Sequence, residues 1–197
     1  MSLLRAFIAV ELPVPTREDI QKQIVRLQQT LGDDLVRWIP VHNVHITLKF
    51  LGSVAATHVD FLKQMLRQEA DAYTGFDLQI GGLGAFPNSK RPHILWLGLH
   101  APASLFSLQQ GIETAAGRLG YQKEDRAFSP HLTIGRVRPN IPLAEIQKMG
   151  PLIDSVQLGN IATARVDSVH LFKSDLKPSG SIYTKLHSVQ LKTAPII

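Results

Sequence analysis

A strand, an amphipathic helix and a second strand opening on a histidine occur twice in this 197-residue chain, and that recurrence restricts the fold more than any other feature. In the first copy "RAFIAVEL" (5–12) is rich in strand-forming residues and stops at Pro13. "TREDIQKQIVRLQQTLG" then sets Ile20, Ile24, Leu27 and Leu31 on one helical face, with Thr16 and Asp19 as a capping box and Gly32 as the stop. After a short strand, "DLVRWI", ending at Pro40, "VHITLKFLG" closes the copy. The second copy begins with "HILWLGL" (93–99). It continues through a helix over about 103–119, with Leu105, Leu108, Ile112, Ala115 and Leu119 on one face, and closes with "HLTIGRV" (131–137). Phe7 lies 38 residues before His45, and Leu97 lies 34 before His131. Order and spacing predict an internal duplication, about 4–52 and 93–137, within one domain spanning 1–197.

Outside the copies, a helix from Thr57 is expected to bury Val59, Leu62, Leu66 and Tyr73. "FDLQIGGLG" reads as a strand. Its "GGLG" (81–84) is a turn or bulge, since neither a Lys-Ser/Thr pair nor a helix start follows, as a phosphate-binding loop requires. The remainder reads as a short helix at "PLAEIQKM", two strands, "ARVDSVHLF" and "IYTKLHSVQL", joined by an exposed "KPSGS" turn, and a tail, "TAPII".

Both histidine strands carry H-x-T. Alternate residues of a strand share a face, so His45, Thr47 and Lys49 point one way while Val44, Ile46, Leu48 and Phe50 point into the core. His131 and Thr133 share a face in the same manner, against Leu132 and Ile134. Strict alternation puts Arg136 on the face opposite His131. Each strand presents an imidazole and a hydroxyl about 7 Å apart. A single histidine or threonine on a strand is ordinary. Two such pairs, in corresponding places, would face each other across a groove. Hydrolysis of a phosphodiester needs a base to take a proton from water and an acid to protonate the departing oxygen. Two imidazoles fill those roles near neutral pH, and hydroxyls donate to the oxygens where charge accumulates. Nothing in the residues themselves says which histidine is acid and which base.

Charge points the same way. Lys and Arg outnumber Asp and Glu 21 to 16, a net charge of +5 and a pI near 9.6, which favours an anionic partner such as RNA or a nucleotide. No basic tail is present, so the anion is expected in a shaped site. With 44% hydrophobic and 19% charged residues the composition is globular, and no apolar run approaches the ~18 residues of a membrane span. The opening "MSLLRAFIAVEL", interrupted by Arg5 and Glu11, reads as a strand rather than a signal peptide. The absence of cysteine excludes disulfides, thiolate metal sites and a cysteine nucleophile, and accords with a cytoplasmic protein. His42 and His45, three apart, fall on opposite faces and make a poor metal pair. The two-histidine acid–base scheme requires no metal, and no cofactor is expected. Further substrate contacts are sought among Arg136, Arg126, Lys49 and Phe7: the cations for phosphate, the phenyl ring for a base. The "SKRP" loop (89–92), the other histidines and both tryptophans read as structural or solvated.

"HITLKFLG" and "FSPHLTIGR", with "RAFIAVELP", "GAFPNSKRPHILWLGL" and "VHLFKSDLKPSGSIYTKL", resemble the two-histidine (2H) phosphoesterase superfamily, in particular its RNA 2′,3′-cyclic phosphodiesterase family, also called 2′-5′ RNA ligases. The resemblance covers nearly the whole chain. It implies a bilobal α+β fold, two antiparallel sheets related by a pseudo-twofold around a central cleft, with helices outside. It also implies metal-independent opening of a terminal 2′,3′-cyclic phosphate to a 2′-phosphate, the reverse reaction being 2′-5′ ligation. By the family pattern His45 is the proton donor, His131 the proton acceptor, and Thr47 and Thr133 bind phosphate. A monomer acting on RNA ends is expected. The alternatives are an enzyme for small cyclic nucleotides or 2′-5′ oligonucleotides, and an RNA- or nucleotide-binding module without turnover.

Overall fold

Alternation and helical periodicity along residues 3–178 and 180–193, which the computed structural model describes, produce nine strands and four helices. In chain order they are β1 (Leu3–Glu11), α1 (Val14–Leu31), β2 (Val36–Trp38), β3 (His45–Ala55), α2 (Val59–Ala70), β4 (Phe76–Phe86), β5 (Ile94–His100), α3 (Ala103–Arg118), β6 (His131–Val137), α4 (Leu143–Ser155), β7 (Asn160–Val166), β8 (Ser168–Lys177) and β9 (Gly180–Gln190). The "TAPII" tail lies, beyond Thr193, outside the described residues. No described helix is long and apolar enough to cross a membrane.

The strands form two antiparallel sheets, ordered β3-β1-β8-β9 and β2-β6-β5-β4-β7. Matching β1 to β5 and β3 to β6 brings the orders into register, β3-β1-β8-β9 onto β6-β5-β4-β7, with β2 as an extra edge strand. This is the expected α+β architecture with its pseudo-twofold. The helices cross-brace it: α1 packs against β7 of the second sheet, α3 against β3 of the first, and α2 against α3, β8 and β9. One contiguous apolar core joins the inner faces, from Ile8, Ile46 and Leu171 in the first sheet to Ile80, Leu97 and Leu132 in the second. The opposite face of the first sheet carries a separate small cluster of Phe7, Ala9 and Phe172, with Tyr183 packed on it.

Several local expectations change. Helix α1 starts at Val14, with Pro13 as N-cap and Pro15 in the first turn; Thr16 is buried inside the helix and caps nothing. Proline, already lacking the N–H that a first turn leaves unpaired, does the work assigned to the capping box. Helix α2 stops at Ala70, and Tyr73 beyond it donates its hydroxyl to the Ser107 carbonyl. Helix α4 continues through Pro151 to Ser155, longer than "PLAEIQKM" suggests. "ARVDSVHLF" is not one strand. It divides at Asp167, β7 joining the second sheet and β8 the first. Its β-branched run has no glycine or proline at the switch, so periodicity alone had no means of dividing it. The "GGLG" segment is a bulge in β4, with Gly82 at φ +74°.

Candidate active site

Both H-x-T strands are interrupted in the same way. In β3, Thr47 pairs with Ala9 and Lys49 with Ile8, leaving Leu48 as an extra residue. In β6, Thr133 pairs with Trp96 and Gly135 with Leu95, leaving Ile134 extra. A bulge sets two successive residues against one partner and reverses the alternation that follows. The burial sequences of the two segments are accordingly identical: half-buried, buried, half-buried, buried, buried, exposed over 45–50 and again over 131–136.

These bulges correct two expectations. Lys49 does not share the His45 face. It turns inward, 4% exposed, where its ammonium donates to the Glu113 carboxylate of α3 and to the Gln122 carbonyl (2.6 Å). Phe50 does not point into the core; it is 67% exposed on the His45 side, against Phe7. Arg136 likewise returns to the face of His131 and Thr133, contrary to strict alternation. Phe7 is no free platform for a base: it is buried, its ring stacked 4.9 Å from His45, 5.2 Å from Phe172 and edge-on to Tyr183. Arg126 is exposed on the loop before β6.

The histidine rings are anchored alike. His45 Nδ1 lies 2.7 Å from the Asn43 carbonyl, and His131 Nδ1 lies 2.8 Å from the Ser129 carbonyl, each two residues upstream. A carbonyl only accepts, so Nδ1 carries the proton and Nε2 remains available to a ligand. Aromatic rings flank both. Tyr183 stands edge-on to His45 at 5.2 Å, and Phe86 edge-on to His131 at 4.9 Å, with Trp96 at 6.5 Å. Gly84 is required here, because a Cβ would sit 2.2 Å from the Trp96 ring. The Asn43 amide also donates to the Ser181 carbonyl (3.1 Å), tying the turn before His45 to the β8–β9 hairpin.

Burial lowers the His45 pKa below the ordinary 6.5. The hydrogen bond to Asn43 and the charge of Glu11 oppose the shift, while the charge of His131 adds to it. Glu11, the register partner of His45, pairs with Lys185 and lies 3.7 Å from the Nε2 of buried His170. Burial and Lys185 depress His170 as well. Among the described residues no three His, Asp or Glu side chains gather around a metal-sized site. Sequence reasoning missed Phe50, Tyr183, Glu11, His170 and Phe86. Only the paired "F" and "R" five residues after each histidine hinted at a shared position.

The sequence model of the 2′-5′ RNA ligase superfamily matches residues 16–178. The chain is 33% identical over 190 residues to the RNA 2′,3′-cyclic phosphodiesterase of Methanothermobacter thermautotrophicus, spanning 95% of this chain and 99% of that one. It is 28% identical to the protein of the same name from Thermotoga maritima, over 96% of both. Among solved structures it resembles TT0787 of Thermus thermophilus (TM-score 0.78, 25% identity, 96% and 99% of the chains). It also resembles E. coli LigT complexed with 3′-AMP (TM-score 0.76, 25% identity, 98% and 100%). With the matched arms and the match along most of its length, the chain belongs to the 2′-5′ RNA ligase superfamily.

Proposed function

We propose that this protein hydrolyses the terminal 2′,3′-cyclic phosphate of RNA to a 2′-phosphate, using two histidines and no metal. The observation that carries the reading is the pair of Nδ1-anchored imidazoles, each followed by a threonine on the same face of a bulged strand. In this mechanism His131 Nε2 takes a proton from the attacking water as its oxygen bonds to phosphorus. The bond from phosphorus to O3′ breaks, and His45 Nε2–H supplies the proton that O3′ acquires. Thr47 and Thr133 hydroxyls donate to the non-bridging oxygens. Exposed Phe50 offers a face to a base. Run backward, the same steps join 2′-5′ ends. Names of the relatives support this substrate. The matched bulges and strand orders support descent of both arms, about 4–52 and 93–137, from one unit within a single domain. The same reading takes the protein to be a cytoplasmic monomer.

One observation favours exchanging the two roles: a buried, depressed His45 is better suited to accept a proton than to hold one. A bound phosphate opposes this, since its negative charge stabilises imidazolium. The test is turnover of a short RNA ending in 2′,3′-cyclic phosphate, with EDTA present. A 2′-phosphate product, lost by about 10²-fold or more in both His45→Ala and His131→Ala, is expected. Loss of activity on adding EDTA would overturn the acid–base reading. With bis(p-nitrophenyl) phosphate, whose leaving group needs no proton, the variant lacking the acid retains activity and the variant lacking the base does not. Undiminished RNA binding without turnover in the unaltered protein would favour a binding module.

A further inference from the structure

Arg37 of β2 and Arg136 of β6 are directly opposed partners in an antiparallel pair. Both are exposed, and neither takes part in an ion pair among the described residues. Like charges set opposite each other across strands repel, and guanidinium cannot relieve the repulsion by losing its proton. An anion seated between them would.

The register fixes the face on which they stand. Val36 and Trp38 pack on the core side, and Gly135 faces them so closely that a Cβ would sit 2.7 Å from Val36 Cγ1. Arg37 and Arg136 therefore project from the other side, that of His131 and Thr133. They lie one strand repeat, about 7 Å, beyond Thr133. Among the described residues the first sheet has no counterpart: Phe50 occupies the position matching Arg136, and β3 is the edge strand. A charge on an edge strand also deters pairing with other chains, but that purpose is served on either face and by one residue.

We propose that Arg37, with Arg136, holds a second phosphate: the 5′-phosphodiester linking the terminal nucleoside to the rest of an RNA strand. The inference rests on the phosphodiesterase reading above and narrows its substrate to oligonucleotides rather than cyclic mononucleotides. Guanidinium forks match phosphate oxygens two at a time, which suits such a clamp.

The experiment compares 2′,3′-cyclic AMP with the dinucleotide ApA ending in 2′,3′-cyclic phosphate, in the unaltered protein and in Arg37→Gln. The unaltered protein should favour the dinucleotide about ten- to hundredfold in kcat/KM, mainly through KM, the worth of one charge-assisted hydrogen bond. Arg37→Gln should lose most of that preference, Arg37→Lys should keep part of it, and the salt slope for the dinucleotide should fall by about 0.7 in Arg37→Gln. An unaltered protein with no preference, or Arg37→Gln impaired equally on both substrates, would overturn the proposal. If neither substrate turns over, the phosphodiesterase reading fails separately. Binding of adenosine 2′-phosphate against ApA 2′-phosphate then decides: tighter dinucleotide binding that Arg37→Gln abolishes supports the clamp, and equal binding refutes it.

Discussion

At His45, Phe7 and Tyr183 strip water from the ring while the Asn43 carbonyl and Glu11 favour its charge, and burial outweighs both. The imidazolium is therefore lost at a lower pH than in an exposed histidine. Replacing Phe7 by alanine should admit water and raise the His45 midpoint toward 6.5, as followed by NMR titration of its ring. An unchanged midpoint would mean that the aromatic stack does not set it. With the folded pKa below 6.5, the unfolded state binds more protons, so this residue's contribution to stability falls as pH drops from about 6.5 through the folded value. That His45 shares a strand face with Thr47, and His131 with Thr133, was legible because a strand's period of two places them together. The stack was not, because Phe7 lies 38 residues from His45 and meets it only through strand pairing.

The element that misleads sequence reasoning is the bulge after each threonine. Alternation assumes an unbroken pleat, so a single extra residue sends Lys49 inward and Phe50 and Arg136 outward. Gly135 is the only local trace of it, and β3 has none at the matching Lys49. Once inward, Lys49 ties three segments together. Its ammonium meets Glu113 of α3 and the Gln122 carbonyl, and Glu113 also accepts from the Glu124 N–H (3.0 Å) on the loop leading to His131. Lys49→Ala leaves the Glu113 carboxylate buried without its cation and should cost about 3–5 kcal/mol in urea unfolding. Lys49→Met combined with Glu113→Leu removes both charges and should recover most of that loss. If the single variant costs under about 1 kcal/mol, the pair is not the strut inferred from these contacts.

At the scale of the molecule, the switch at Asp167 matters most. The chain completes its second sheet with β7 and then crosses back, so that β8 and β9 finish the sheet begun by β1 and β3. Neither sheet is made of contiguous sequence, and the recurrence that first suggested two copies gave no sign of it, because strand exchange leaves no period in the residues. One core spans both sheets, and helices from each arm pack on the other's strands. Such interleaving should abolish independent unfolding. The two tryptophans provide a direct test. Trp38 on β2 and Trp96 on β5 both lie in the second sheet, so fluorescence follows that sheet while far-ultraviolet circular dichroism follows the whole chain. If the chain is one cooperative unit, the two probes give a single, coincident urea transition with one midpoint. If the arms are separable, fluorescence and dichroism diverge, because the first sheet then melts without disturbing either indole. Coincidence would also mean that the two histidines cannot be uncoupled by loosening one arm: any substitution that destabilises β8 or β9 would lower the population competent at both.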